Sequence, residues 1–184
     1  MHFILAGLFQ HMQTGAVVPS QRFLIGKMLA PVPPDYQGRV VELGAGCGPL
    51  TLRLASKCPA ARVLACEINP VLARDLRSHI KARGLGERVE VVSQPAQRLL
   101  SRLGRAEVEP VDFIISGIPL ANLGGEKARA LIGTISRTLT RGGMYIQFQH
   151  SLLDRKRIHS VFPKLRTVPA FLNFPPAFVY YAQH

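Results

Sequence analysis

The sequence predicts an α/β fold, a mostly parallel sheet with helices on both faces and an antiparallel hairpin at its C-terminal end. Three observations carry this. From residue 39 onward, short β-branched runs alternate with longer segments of helical period, the pattern that specifies parallel strands joined by crossover helices. The run "PVDFIIS" (110–116) is apolar enough to be buried on both faces, as interior parallel strands are. The last two β-rich runs, "LRTVPAFL" (165–172) and "AFVYYAQ" (177–183), are separated only by the turn-forming "NFPP" and are expected to pair as a hairpin.

Taken in order, "RVVEL" (39–43) is the first strand, followed by a glycine-rich turn and the helix "LTLRLASK" (50–57). "RVLACE" (62–67) is the second strand and "NPVLARDLRSHIKARG" (69–84) the second helix. Asn69 is its N-cap, Pro70 stands in the first turn, and Gly84 closes the end. "VEVV" (89–92) is the third strand and 110–116 the fourth. Then come the helix "KARALIGTISRTL" (127–139), the fifth strand "GGMYIQFQ" (142–149) and the helix "LLDRKRIHSVF" (152–162). There is no internal repeat or low-complexity linker. "PVPP" (31–34) sets off an N-terminal helical segment, residues 1–30, that is too short to be a domain. Residues 1–184 are therefore expected to form one domain.

Hydrophobic residues make up 47% of the 184 and charged residues 18%, which supplies a core and excludes disorder from low hydrophobicity. The net charge of +12 implies an anionic partner, nucleic acid or an acidic membrane surface, or it serves solubility alone; charge by itself does not choose. Cys47, Cys58 and Cys66 follow no zinc or redox spacing and are expected to be reduced, structural thiols, with no metal site. No apolar run approaches the ~20 residues that span a bilayer. No lysine or arginine precedes Arg22, so the charged start of a signal peptide is missing. The expected location is the cytoplasm, soluble or peripheral to a membrane.

The stretch "VVELGAGCG" (40–48) places Gly44, Gly46 and Gly48, with Ala45 among them, between a strand and a helix. Glycine there permits the turn's backbone angles and the close approach of a ligand. Glu67 ends the second strand, where an acid accepts both hydroxyls of a ribose. Alone, the glycines describe a tight turn that needs no ligand; with Glu67 they describe a site for an adenosine-containing cofactor. The spacing G-A-G-C-G differs from the dinucleotide fingerprint G-x-G-x-x-G, and that difference, with Glu42 just before the turn, points away from NAD.

Together with "CEIN" (66–69), this stretch resembles motifs I and II of class I S-adenosylmethionine-dependent methyltransferases. The resemblance implies a Rossmann-like fold on a seven-stranded sheet, S-adenosyl-L-methionine as cofactor and S-adenosyl-L-homocysteine as product. It implies that the turn faces the methionine end and that Glu67 holds the ribose, with Ile68 and Asn69 beside it. Glu42 then interacts with the methionine amino group. The family often carries an acid followed by alanine after the third strand. Here "SQPAQ" (93–97) puts Pro95 in the acid's place ahead of Ala96, and Gln94 is expected to offer the adenine a side-chain carbonyl instead.

The fourth strand ends in "SGIPL" (116–120), at the sheet edge where open α/β folds bind ligands. Ribosomal RNA adenine dimethylases carry a polar residue, a proline and an aromatic ring there. This chain has Gly117 in place of their Asn, Leu120 in place of the ring, and no tryptophan anywhere. Ser116 and Gly117 are expected beside the cofactor, and Ile118, Pro119, Leu120 and Asn122 beside the substrate; Pro119 otherwise simply ends the strand. "GAVVPSQRFL" (15–24), "SGIPLANL" (116–123) and "NFPPAFVYY" (173–181) together resemble bacterial phospholipid N-methyltransferases, over about residues 3 to 184.

That resemblance implies stepwise methylation of phosphatidylethanolamine toward phosphatidylcholine, at the inner face of the cytoplasmic membrane. It places Ser20 near the cofactor and makes Leu120 part of a lipid-facing pocket. Residues 3–13 form an amphipathic helix, if helical, with Ile4, Leu5, Leu8, Phe9 and Met12 on one face. It either lies among headgroups or packs on the protein itself. Arg155, Lys156, Arg157, Lys164 and Arg166 cluster near the last crossover, as an attraction for anionic lipid or as a solvated helix face. His150, Tyr145 and Tyr180 are candidates to accept the amine's proton or to hold the methylated ammonium by cation-π contact. Two other readings stand beside this one: an RNA adenine dimethylase, and a non-catalytic S-adenosylmethionine-binding protein suggested by Pro95.

Overall fold

The structure is a computed structural model that describes residues 19–104, 110–171 and 176–184. Helix α1 (Pro19–Leu29) leads into β1 (Arg39–Leu43), α2 (Pro49–Lys57), β2 (Arg62–Cys66), α3 (Pro70–Ala82) and β3 (Val89–Val92). Then follow α4 (Ala96–Leu103), β4 (Val111–Ser116), a 3-10 turn (Leu120–Leu123), α5 (Gly125–Thr138) and β5 (Leu139–Gln149). The chain closes with α6 (Arg155–His159), β6 (Lys164–Ala170) and β7 (Ala177–Gln183).

The strands form one seven-stranded sheet in the order β3-β2-β1-β4-β5-β7-β6. Neighbours from β3 to β5 are parallel, and β7 is antiparallel to both β5 and β6. This is the predicted class. The chain winds outward from β1 to β3, then returns to β4 on the other side of β1. Connections therefore leave the carboxyl ends of β1 and β4 in opposite directions, which opens a ligand crevice between them. Because β6 and β5 run the same way, the carboxyl ends of β1, β2, β4, β5 and β6 share one edge of the sheet.

Strand alternation feeds two cores. Val40, Val63, Ile115 and Ile146 pack beneath α1, α2 and α3 with Leu54, Leu76 and Ile80. Val41, Leu43, Ile114 and Tyr145 pack on the opposite face with Leu99 and Leu100 of α4 and with Leu131 and Ile135 of α5. Cys58 and Cys66 are buried free thiols that donate to the carbonyls of Pro33 and Gln94, each at 3.2 Å. Asn69 caps α3 as predicted, its side chain accepting from Val71 N at 2.9 Å.

Four departures from the sequence reading have local causes. Residues 96–103, left without an element, form α4, which buries Leu99, Leu100 and Leu103; two turns are too short for a helical period to stand out. β5 begins at Leu139 rather than 142, bending at Gly142, whose φ of 89° is left-handed. The helix expected over 152–162 shortens to Arg155–His159 because Asp154 is buried at its N-cap and Leu152 and Leu153 face outward. The basic cluster is also split. Lys164 and Arg166 begin β6, a strand's length of about 20 Å from the edge where α6 starts. The helix expected over 3–13 lies outside the described residues.

Candidate cofactor and acceptor site

The turn after β1 is tied to the end of β2. Gly44, Gly46 and Gly48 all take left-handed φ values, 77°, 58° and 92°. Gly44 N and Ala45 N both donate to the Cys66 carbonyl, at 2.8 and 3.1 Å. The buried Glu67 carboxylate joins the two segments: Gly46 N donates to Oε2 and Asn69 N to Oε1, each at 2.8 Å. Each carboxylate oxygen keeps a further lone-pair direction for a hydroxyl. Beside it Ile68 is 67% exposed, an apolar surface of the kind a flat heterocycle covers.

Glu42 faces α2, and Thr51 Oγ1 of that helix donates to its Oε2 at 2.5 Å. Burial pushes the Glu42 carboxyl up to about 8; the Thr51 bond pulls it down and the Glu67 charge pushes it further up. The folded protein thus holds a proton here that the unfolded chain releases near the ordinary carboxylate value. Stability contributed by that proton is present at acid pH and is lost as pH rises toward about 8. Glu42→Gln should flatten the fall in unfolding free energy between about pH 5 and 8, an effect of order a few kcal/mol. Denaturant titrations across that range check this; parallel curves for both proteins would exclude Glu42 as the titrating group.

On the adenine side, Gln94 follows β3, and its Nε2 is buried with no hydrogen-bond partner. The buried amide nitrogen is thus a donor with its hydrogen bond unspent. Pro95 stands at the N-cap of α4, where its carbonyl accepts from Arg98 N and Leu99 N, and Ala96 begins that helix. The proline has taken a helix-starting position. The orphaned amide, the exposed Ile68 and the glycine turn all fit an adenosine-containing cofactor.

The loop after β4 lies against the glycine turn. A Cβ on Gly44 would stand 3.2 Å from Ile118 Cγ1, and one on Gly117 would stand 3.1 Å from the Gly44 carbonyl. Gly117 N donates to the Leu43 carbonyl at 2.8 Å, and Ile118 N to the Ser116 hydroxyl at 3.2 Å. Two glutamines of β5 hold the loop from beneath: Gln147 Nε2 and Gln149 Nε2 donate to the Ile118 carbonyl at 3.1 and 3.2 Å. Both are buried, and the sequence reading passed over them. Their signal is two amides at period two inside an apolar strand. Pro119 is half-buried and begins the 3-10 turn, where Asn122 is exposed.

Several predicted roles are corrected. Leu120 is 0% exposed and packs into the α4–α5 core, so it lines no lipid-facing pocket, and the missing ring at that position does not speak to stacking. The ring beside the loop is Phe148, half-buried, whose edge carbon would lie 3.7 Å from a Cβ on Gly117. The Ile118 carbonyl spends its lone pairs on two glutamine amides of the protein itself. Tyr145 is fully buried and donates to Gln147 Oε1 at 2.5 Å; burial holds its phenol far above the ordinary range. It braces the loop through Gln147 and is no proton acceptor. Tyr180 is also buried and donates to the Ser151 carbonyl at 3.1 Å.

His150 is the candidate that remains partly exposed. Its ring meets Phe148 edge to face at 5.8 Å, and its Nδ1 lies 3.0 Å from the Pro176 carbonyl. A carbonyl only accepts, so Nδ1 carries the hydrogen and Nε2 of the neutral ring is the basic nitrogen. Ser20 lies in the first turn of α1.

A family model described as a methyltransferase domain matches residues 40–143. Over 182 residues the chain is 29% identical to an ornithine lipid N-methyltransferase of Singulisphaera acidiphila, covering 97% of this chain and 93% of that protein. Among solved structures it resembles an O-methyltransferase from Bacillus cereus in complex with S-adenosylhomocysteine, with a TM-score of 0.73 and 17% identity over 97% of this chain and 88% of that one. It also resembles a 16S rRNA methyltransferase of T. thermophilus in complex with S-adenosylmethionine and guanosine. There the TM-score is 0.69 and the identity 23%, over 92% of this chain and 44% of that one. At these identities the two structures share the fold.

Proposed function

The chain belongs to the methyltransferase domain family, as a class I enzyme dependent on S-adenosylmethionine, and from that premise we propose that it methylates the primary amine of a membrane lipid. When bound, S-adenosylmethionine supplies an electrophilic methyl group on a sulfonium. The chain's own task is to bring an amine lone pair into line with it. Gly117 N donates to the Leu43 carbonyl, and a Cβ on Gly44 would stand 3.2 Å from Ile118 Cγ1, so the acceptor loop borders the cofactor turn. The amine must arrive without its extra proton. His150 Nε2 accepts that proton, and the Phe148 ring, with the imidazole edge-on beside it, receives the methylated ammonium on its face. Gln147 and Gln149 fix the loop so that little ordering remains when substrate arrives.

The observation that carries this reading is the length of the likeness. The similarity to a lipid amine methyltransferase spans 97% of this chain, so it takes in the acceptor loop and both ends as well as the widely shared cofactor turn. Phosphatidylethanolamine and the ornithine lipid headgroup both offer a primary amine on an acyl-bearing anchor, and the methylated intermediates of the former offer a secondary or tertiary one. We take that shared chemistry as the substrate class. Phosphatidylethanolamine is favoured by the segments "SGIPLANL" and "NFPPAFVYY", and ornithine lipid by the relative's name.

The test offers methyl-labelled S-adenosylmethionine with anionic vesicles containing either lipid and, in a third arm, with unmodified ribosomal RNA. Label in a lipid fraction is expected, and the arm that takes it identifies the headgroup. Label confined to RNA would overturn the proposal in favour of base methylation. Cofactor binding with no transfer in any arm would favour a non-catalytic binding protein.

A further inference from the structure

Of the large apolar side chains that the described residues leave exposed, Leu152 (48%), Leu153 (81%) and Phe171 (70%) follow the carboxyl ends of β5 and β6. Ile68 and Val71 flank the cofactor crevice beyond β2, and a cofactor accounts for them. Phe23, 38% exposed, has the Lys27 ammonium over its ring, and nothing in the cofactor site accounts for Leu152, Leu153 and Phe171. β5 and β6 are separated only by β7, about 10 Å at sheet spacing, so the three stand at the same edge of the sheet as the acceptor loop. Exposed apolar groups of this kind mark interaction surfaces.

The local fold holds them out. Asp154 is buried and paired with Arg157, while Ile158 and Phe162 anchor the following turn in the core. With Asp154 drawn inward, the two preceding leucines are turned toward solvent. The charges next to them in the chain are mostly cationic. From 150 to 160, Arg155, Lys156 and Arg157 stand against a single acid, the buried Asp154. Arg155 and Lys156, both exposed, come directly after it. Among the described residues no helix is long and apolar enough to cross a membrane.

We infer that Leu152, Leu153 and Phe171, with Arg155 and Lys156, dock this edge of the sheet on an anionic phospholipid bilayer. The inference rests on the lipid-amine reading for its purpose, though the docking itself does not require it. Apolar side chains enter the acyl boundary while the two cations meet lipid phosphates. The acceptor loop then faces the headgroup layer, and an amine reaches Phe148 and His150 without its lipid leaving the membrane.

The test uses the full chain and vesicles of phosphatidylglycerol and phosphatidylcholine, which contain no amine acceptor. Wild-type protein should sediment with them, and less so as salt rises. Leu152→Ser/Leu153→Ser and Phe171→Ser should each weaken vesicle affinity about tenfold or more. Arg155→Gln/Lys156→Gln should remove most of the salt dependence. Melting temperature and S-adenosylmethionine affinity should change little, since these side chains are exposed and lie away from the glycine turn. Variants that sediment like wild type would overturn the inference. So would wild-type protein that ignores vesicles, or that elutes as a dimer which the leucine variants split, because a second copy would then be the occupant. Failure of methyl transfer to detergent-dispersed lipid amine, with vesicle binding intact, would count against the substrate reading alone.

Discussion

Glu67→Ala is expected to lower S-adenosylmethionine affinity at least about 100-fold and to loosen the glycine turn as well. The carboxylate makes two charge-assisted bonds within the protein, to Gly46 N and Asn69 N at 2.8 Å each. It thereby fixes the turn on one side and the start of α3 on the other. Hydrogen bonds to a charged group are each worth about 1.5–3 kcal/mol. Removing the side chain leaves a buried N–H group unpaired at Gly46 and withdraws the oxygens proposed to receive the ribose hydroxyls. Glu67→Gln is not a mild version of this change. One of its two positions becomes an N–H₂ group facing a backbone donor, so it should fall close to alanine in affinity. Calorimetric titration with S-adenosylmethionine, alongside a melting curve for each variant, separates the two consequences. An alanine variant that melts lower yet binds as tightly as wild type would confine Glu67 to a structural part and remove the ribose role.

Gly48→Ala should destabilise the fold by about 2–4 kcal/mol, through backbone conformation and packing together. Gly48 has a φ of 92°, a region that costs a residue with a Cβ about 1–2 kcal/mol. The Cβ would also stand 2.1 Å from Leu76 Cδ1 and 3.3 Å from its Cγ. Leu76 is fully buried in α3, so it cannot swing into solvent, and overpacking adds about 1–3 kcal/mol. Two companions isolate the causes. Gly84→Ala meets no atom within 4 Å, although its φ is also left-handed at 64°; it should show the backbone cost alone. Leu76→Ala opens a cavity, typically at about 2–5 kcal/mol, which the alanine at 48 partly fills. The double variant should therefore be clearly less damaged than the sum of the singles. Denaturant unfolding of the four proteins reads the cycle, and strict additivity would mean that the predicted clash is relieved elsewhere.

Both predictions concern groups that were legible in the sequence, and the reason is their locality. Gly44, Gly46, Gly48, Glu67 and the Asn69 cap all lie where a strand ends and a helix begins. There a backbone angle or a lone acid has few uses. The β-rich and helical periods likewise announced the strands of the sheet, because a strand's side chains alternate whichever partner it finds. The acceptor side was read less well. Leu120 looked like a pocket wall beside Pro119, yet it belongs to the core under α5. Tyr145 looked reactive and is a buried brace. Gln147, Gln149 and Phe148 went unnoticed although they hold or border the loop.

By itself, then, the sequence determined the fold class, the glycine turn with the acid beside it, and the family. Each of these rests on contacts between neighbouring segments or on the repeating geometry of the backbone. Only the tertiary structure decided which side chains border the loop after β4 and which stand in solvent beyond β5. That depends on strand order, with β5 brought beside β4. It depends as well on strand parity, which turns Gln147 and Gln149 toward one face and Phe148 toward the other. It also depends on the burial of one acid, Asp154, that leaves Leu152 and Leu153 in solvent. Those outcomes follow from the packing of distant segments against one another, which no local pattern of residues encodes.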